Sequence, residues 1–407
     1  MLRPMEGVRV LEVAQFTFVP AAGAVLADWG ADVIKVEHAV TGDAQRGLSR
    51  LMGMPVGSGS FAPLMEHPNR GKRSIGLALD QPEALDVLHD LIRQSDVFLT
   101  NFLPAARRKL GIDLEDVRKI NPDIIYVRGS GFGSQGEEKE KGGYDSTAFW
   151  ARAGSAAGAT PADYDGLVQM PAGAYGDSLG GMTIAGGIAG ALYARATTGE
   201  TSVVDVSLMS VGAWATGLSV NFAMLNGGPL PERRAGKSAP TNPLVGSYRT
   251  ADGRWIMLTM LQPGRYWPEF CQHIGRPELA DDPRFSTTAS LMANSADAAE
   301  IVHEVLASRT LAEWTDAFIG MEGQWAIAQN AWELSQDPAL RENGFIVEVT
   351  DVDGEQRELV ASPVQFDETP LQLRRAPQFA EHTDEILTML GKSEDELIAL
   401  KIVGAVT

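Results

Sequence analysis

One carboxylate in this chain stands in surroundings suited to covalent chemistry. Asp177 lies in Ala172-Gly173-Ala174-Tyr175-Gly176-Asp177-Ser178-Leu179-Gly180-Gly181, with glycines on both sides. Downstream, Leu179, Met182, Ile184, Ile188, Leu192 and Tyr193 alternate with Gly180, Gly181, Gly186, Gly187, Gly190, Ala191 and Ala194. That pattern predicts a helix whose small face lets another backbone approach closely. Asp177 then stands at the helix N-terminus, and two readings are open. In one it is an N-cap, Asp being among the favoured capping residues. In the other, free N–H groups and the positive end of the helix dipole hold the carboxylate ionised, and the glycines admit a substrate and offer donors to a developing oxyanion. An ionised, unhindered carboxylate is a nucleophile toward an activated acyl group.

The rest of the chain supplies elements to hold it. Residues 8–13 read as a buried strand, 20–29 as a helix ended by Gly30, and 32–37 as a second strand. Further strands are predicted over 73–79, 97–99, 124–127 and 202–206, with helices over 82–93, 114–120 and 208–225. Strands alternating with helices give an α/β fold with a doubly wound, Rossmann-like parallel sheet, whose ligand crevice lies beyond the carboxyl ends of the strands. Residues 226–242 are rich in Gly, Pro and charge and read as a linker. Beyond them a hairpin around Asp252-Gly253, with helices near 266–274, 298–306 and 311–319, indicates a smaller α+β domain, after which a second hairpin around Asp353-Gly354 leads to an extended Pro-containing stretch and a closing helix from Thr383.

Composition narrows the function. The 407 residues, 44% hydrophobic, suffice for two cores. A net charge of −19 argues against sequence-independent binding to nucleic acid or an anionic membrane surface. The basic clusters Arg70, Lys72, Arg73 and Arg107, Arg108, Lys109 are therefore read as local sites for small anions, against the plainer reading of solvated basic faces. A single cysteine, Cys271, excludes an intrachain disulfide framework and a cysteine-rich metal site. No run approaches transmembrane length and the start lacks an apolar signal region, so a cytoplasmic location is expected. Gly131-Phe132-Gly133-Ser134-Gln135-Gly136 has the form of the dinucleotide fingerprint, but the charged run Glu137-Glu138-Lys139-Glu140-Lys141 replaces the apolar helix start it needs. No phosphate loop is present either: Gly71-Lys72 and Gly236-Lys237-Ser238 lack the leading glycine.

A series of motifs carries a more specific likeness: Gly7-Val8-Arg9-Val10-Leu11-Glu12, Leu26-Ala27-Asp28-Trp29-Gly30-Ala31-Asp32, Asn69-Arg70-Gly71-Lys72-Arg73-Ser74-Ile75, Asn101-Phe102-Leu103-Pro104, Gly131-Phe132-Gly133, Gly143-Tyr144-Asp145, Gly176-Asp177-Ser178 and Val204-Asp205-Val206-Ser207. In this order they resemble the class III CoA-transferase family, which includes formyl-CoA and carnitine CoA-transferases and, as close relatives, 2-methylacyl-CoA racemases. The resemblance implies that Asp177 attacks an acyl-CoA thioester to give a mixed anhydride, that the freed thiolate forms an aspartyl-CoA thioester, and that an acceptor carboxylate then takes the CoA. Such exchange conserves the thioester's free energy and calls for no ATP, metal or cofactor beyond coenzyme A. The resemblance also implies CoA-nucleotide contacts at Lys72, Arg73, Asn101, Phe102 and Lys109, with His38 where many relatives place an Arg near the adenosine. Thr17 and Phe18 fall beside the acyl group, Tyr144 would orient it, and Asp145 would support it. The implied partners are an acyl-CoA, a small carboxylic acid and a second copy of the chain in an interlocked homodimer, with residues 1–225 and a return segment, 331–407, forming the large domain and 226–330 the linker and small domain.

The sequence also departs from the family pattern. Phe18-Val19-Pro20 replaces an Ala-Gly-Pro run, and Asn226-Gly227-Gly228-Pro229 only partly matches the glycine-rich lid of formyl-CoA transferases. The racemases pair their aspartate with a histidine in Gly-His-Asp, where this chain has Gly143-Tyr144-Asp145, and a tyrosine with a pKa near 10 is poorly matched to proton exchange at neutral pH. Racemase chemistry is the runner-up, and a CoA-binding homologue without catalysis is a third reading that the intact Asp177 frame argues against.

Overall fold

The structure, a computed structural model, describes residues 2–48, 50–51, 53–55, 61–232 and 241–407. Of the expected linker, residues 233–240, with Gly236-Lys237-Ser238, lie outside the described residues.

The alternation read from the sequence closes into one six-stranded parallel sheet. Its strands are β1 (Arg9–Val13), β2 (Asp32–His38), β3 (Arg73–Leu77), β4 (Val97–Thr100), β5 (Ile125–Ser130) and β6 (Val203–Ser207), in the spatial order β3-β2-β1-β4-β5-β6. All neighbours run parallel. This is the doubly wound order whose switch point lies between β1 and β4. Buried on both faces, the strands read as continuous apolar runs, and successive residues supply opposite cores. Val10, Val33 and Val127 face one cluster with α1 (Phe18–Asp28); Leu11, Ile34 and Tyr126 face the other. Between β2 and β3 stands α2 (Pro63–Asn69), and α3 (Pro82–Arg93) and α5 (Leu114–Ile120) cover the second face, with α4 (Pro104–Leu110) before α5.

The long helix α6 (Tyr175–Thr198) packs on α1 through the small face predicted for it. At Gly181 an added Cβ would stand 2.5 Å from the Ala21 Cβ and 3.0 Å from its backbone carbon, so only glycine permits this approach. The predicted helix over 208–225 is instead two, α7 (Leu208–Ala215) and α8 (Gly217–Asn226), bent by 73° at Thr216. Both halves mix apolar and small residues with scattered polar ones, so no change of period marks the break at Thr216. Among the described residues no single helix is long and apolar enough to cross a membrane.

Two compact units emerge: residues 1–160, 166–231 and 338–407 form one, and 161–165 with 232–337 the other. In the first, the C-terminal return lies along the β3 edge, where Ala78 N–H donates to Ala405 O and Ser74 O accepts from His382 N–H, both at 2.9 Å. The second has an antiparallel sheet of Val245–Arg249, Trp255–Thr259 and Trp325–Ile327 over a core of Trp267, Phe270, Trp314 and Phe318.

Candidate active site

Strand β5 ends in Gly129-Ser130-Gly131, and the chain returns beside it at Gly143-Tyr144-Asp145. A Cβ on Gly131 would lie 2.7 Å from the Gly143 Cα, so the two motifs meet backbone to backbone. That contact sets Asp145, the first residue of a wide π-type turn, Asp145–Arg152, against the start of α6. Both Asp145 carboxylate oxygens accept the Gly176 N–H at 3.1 Å, and the N–H groups of Tyr175 and Asp177 also donate to this side chain. Gly176 makes room for it, because a Cβ there would fall 2.2 Å from Phe149 Cγ and 2.5 Å from Asp145 Oδ1.

This cap revises the first reading of Asp177. The residue before α6 is Ala174, in the left-handed region at φ 60°, and Asp177 is the third residue of the helix rather than its N-cap. The donors expected to hold Asp177 ionised, and to serve an oxyanion, are taken by Asp145. Among the described residues no hydrogen bond or ion pair reaches the Asp177 carboxylate. Burial, and then the Asp145 charge, push its pKa up from 3.8 to about 7. Burial raises Asp145 as well, against the pull of its three N–H donors.

Asp177 lines a cavity of about 590 Å³ beyond the carboxyl ends of β1, β4, β5 and β6. Phe18 forms part of its wall and also of the core, its ring lying against the Gly180 position of α6. Tyr144 borders the opening. Asn101 and Phe102 line it after β4, but the Asn101 carboxamide is committed to the backbone of Gln15: it accepts from Gln15 N–H at 3.0 Å and donates to Gln15 O at 2.6 Å. Thr17 is corrected: it is buried, its hydroxyl donating to Gln45 Oε1 at 2.9 Å, and Phe16 faces the cavity in its place.

The basic residues divide sharply. Lys72 lies under the sheet, fully enclosed, with Nζ 2.7 Å from Glu12 and donating to Pro20 O at 2.8 Å; Lys35 bridges the same Glu12 to Asp43. Burial lowers the Lys72 pKa to about 7 despite Glu12, and no anion in solvent can reach it. Arg73, at the amino end of β3, is spent on Asp32 and Glu385. The expectation that these two hold a nucleotide is thus corrected: a lone charge at the enclosed Lys72 would be costly and the fold pairs it with Glu12, while Arg73 stands at the end of its strand away from the cavity and is paired with Asp32 and Glu385. Lys109 is exposed on α4 outside the cavity lining. His38 borders a second, smaller cavity of about 290 Å³ that shares Gln15 and Phe102 with the first, and its Nδ1 accepts from the Val40 and Thr41 N–H groups.

The cations that do line the main cavity are Arg107, Arg108, Arg128, Lys139 and Lys141. Arg107 pairs with Asp113, Arg108 with Glu140 and Arg128 with Asp205. Lys141 pairs with Glu138, and Lys139 has no ion pair among the described residues. Arg128 was missed because its strand was read as ending at residue 127, and its register opposite Asp205 shows only in the sheet; Lys139 lay in the charged run that displaced the dinucleotide motif. His67 also approaches unannounced. Its Nε2 is 2.9 Å from Ser178 Oγ, whose hydroxyl donates to Ala174 O, so the imidazole is the donor. It ties α2 to the start of α6 and does not line the cavity, and no histidine does. No group of three or more His, Cys, Asp or Glu among the described residues is placed to hold a metal.

A family model described as CoA-transferase family III matches residues 5–383. The chain is 31% identical over 399 residues to (R)-2-hydroxy-4-methylpentanoate CoA-transferase of Clostridioides difficile, covering 97% of each. It is 31% identical to cinnamoyl-CoA:phenyllactate CoA-transferase of Clostridium sporogenes, over 97% of this chain and 95% of that protein. The crystal structure of a CAIB/BAIF family protein from Brucella suis superposes with a TM-score of 0.80 at 26% identity, covering 95% of this chain and 99% of the other.

Proposed function

Because the chain belongs to CoA-transferase family III and is an enzyme of that class, we propose that it moves CoA from an acyl-CoA to a carboxylic acid through covalent intermediates on Asp177. The observation that carries this reading is a carboxylate without a hydrogen-bond or ion-pair partner among the described residues, set in the cavity at the switch point of the sheet. A partly buried carboxylate without hydrogen-bond donors is the more nucleophilic for it.

In the proposed sequence an Asp177 oxygen attacks the thioester carbonyl carbon, the C–S bond breaks, and CoA leaves as thiolate from a mixed anhydride. The thiolate then attacks the aspartyl carbonyl, expelling the first acid and leaving an aspartyl-CoA thioester. The acceptor carboxylate attacks that carbonyl, expels the thiolate and forms a second anhydride. Attack of the thiolate on the acceptor's own acyl carbon gives the new acyl-CoA and restores Asp177. Apart from coenzyme A the sequence uses no cofactor. Lys139, the lining cation without an ion pair among the described residues, suits a phosphate of CoA, and the apolar second cavity beside His38 and Phe102 suits its adenine.

Racemase chemistry would need a second base facing Asp177, and no histidine lines the cavity. A second copy of the chain fits the surface of α7 and α8, where Trp214 and Leu225 are 88% and 80% exposed. Sedimentation should give twice the chain mass, and a monomer would remove this part. The catalytic reading is tested by incubating the protein with a panel of acyl-CoAs, trapping with hydroxylamine or borohydride, and mapping peptides by mass spectrometry. Modification should be confined to the Asp177 peptide and absent from Asp177→Ala, which still binds CoA; substantial turnover by that variant would remove Asp177 from the role.

A further inference from the structure

The walls next to Asp177 bear on which acids are exchanged. We propose that the enzyme selects monocarboxylic acids with an uncharged aryl or branched alkyl body, held by Phe16 and Tyr144, and rejects dicarboxylic acids. This deepens, and rests on, the reading of Asp177 as acyl carrier.

Phe16 is the first ground. It sits in the left-handed region at φ 64°, a conformation that a bulky residue keeps only where its surroundings over-determine it. Here they do: the Phe16 N–H donates to Asp43 Oδ1 at 3.1 Å, and Asp43 is fixed by Lys35 at 2.8 Å, both side chains fully enclosed. The turn sends Thr17 inward and the Phe16 ring out to the cavity wall. There the ring meets Tyr144 edge to face, centroids 5.8 Å apart at 89°. Tyr144 is 65% exposed, so the pair is held open and available to an incoming apolar group. Phe18, wedged against α6, adds a third aromatic to the lining that contains Asp177.

Charge is the second ground. The arginines of the cavity are each matched by a carboxylate, from Asp113, Glu140 or Asp205. The charge that acts on Asp177 is another carboxylate, Asp145, and no cation. Of the two lysines in the lining, Lys141 pairs with Glu138 and Lys139 has no ion pair among the described residues, so a second carboxylate on the acyl group would meet the like charge of Asp145 beside Asp177 and find a free counter-charge only at Lys139.

The test measures exchange of each acyl-CoA with its own isotopically labelled free acid, so that donor and acceptor are one compound. The probes are 3-phenylpropanoyl-CoA, 3-methylbutanoyl-CoA, succinyl-CoA and glutaryl-CoA with the purified full-length protein. Exchange kcat/KM for the two monocarboxylates should exceed that for the dicarboxylates by about 100-fold, the scale set by bringing a second carboxylate against like charge among arginines that are already paired. Phe16→Ala should lower 3-phenylpropanoyl exchange by about 10-fold and narrow the ratio, and Phe16→Leu, which keeps an apolar body, should recover most of it. Succinyl or glutaryl exchange as fast as the others overturns the proposal from the wild type alone, as does an unchanged ratio in a folded Phe16→Ala protein. Failure of all four probes while another acyl-CoA labels Asp177 overturns the acid class and leaves the carrier standing. Failure of every acyl-CoA to label Asp177 removes the carrier, and the acid class with it.

Discussion

Replacing Asp177 by Asn should stabilise the protein at alkaline pH, because ionising Asp177 in the fold is costly. Burial and Asp145 raise its pKa from 3.8 to about 7. Between those values the folded chain holds a proton that the unfolded chain has released, so stability falls as pH rises through this window and stays lowered above it. The gap is about 3 units, or about 4 kcal/mol at 1.36 kcal/mol each. The carboxylate faces an open cavity where water screens part of this, and halving the figure leaves about 2 kcal/mol for Asp177→Asn at pH 8. The amide keeps the shape and never ionises, so its advantage should shrink steadily toward pH 5. Scanning calorimetry of both proteins from pH 5 to 8 should show the unfolding temperature of the large unit higher by about 5 °C in the variant at pH 8. Equal stability at pH 8, or a difference independent of pH, would refute the account of Asp177 as an electrostatically strained carboxylate.

The same pKa sets activity: kcat/KM should rise with pH through about 7 as Asp177 ionises, and in Asp145→Asn the midpoint should move to lower pH because the neighbouring charge is gone. An unmoved midpoint assigns the profile to another group. Lys72→Met strands Glu12 beside Lys35 alone and should cost about 3 kcal/mol of stability with KM for acyl-CoA unchanged in the folded protein, whereas Lys139→Ala should raise that KM and flatten its dependence on salt. A raised KM in Lys72→Met would restore Lys72 to the CoA site. With an acyl-CoA and no added acceptor, intact mass spectrometry should find CoA, more than the acyl group, carried on Asp177; acyl adduct alone contradicts this.

The doubly wound sheet was legible because both its faces are buried, so each strand announces itself as an apolar run and each helix as a change of period. Helix α3 fell on its expected residues for this reason, Gln81 and Pro82 marking its start. The place of Asp177 at the head of a glycine-rich helix was legible too. Its surroundings were not, because Asp145 caps that helix from 31 residues upstream and no local pattern joins them. Phe16 escaped notice because what turns it to the cavity is a backbone angle sustained by Asp43, itself held by Lys35. Lys72 misled for the opposite reason: a lysine beside an arginine reads as a solvent cation, and only the packed structure reveals Glu12 waiting in the core.

The division of labour between the two aspartates has a chemical consequence for the proposed reaction. Asp145 takes the N–H groups that would otherwise lower the pKa of Asp177, and its charge raises that pKa further. In the mixed anhydride the CoA thiolate can attack either carbonyl. Attack on the substrate's carbonyl expels Asp177 and merely reverses the first step, whereas attack on the aspartyl carbonyl expels the substrate's acid and goes forward. The less basic carboxylate leaves more readily, and an ordinary carboxylic acid lies near pKa 4, about 3 units below Asp177. The helix terminus that could have made Asp177 a quiet, well-solvated anion is thus given to its neighbour, and the strain left on Asp177 favours the aspartyl-CoA thioester, the intermediate that an acceptor acid can use.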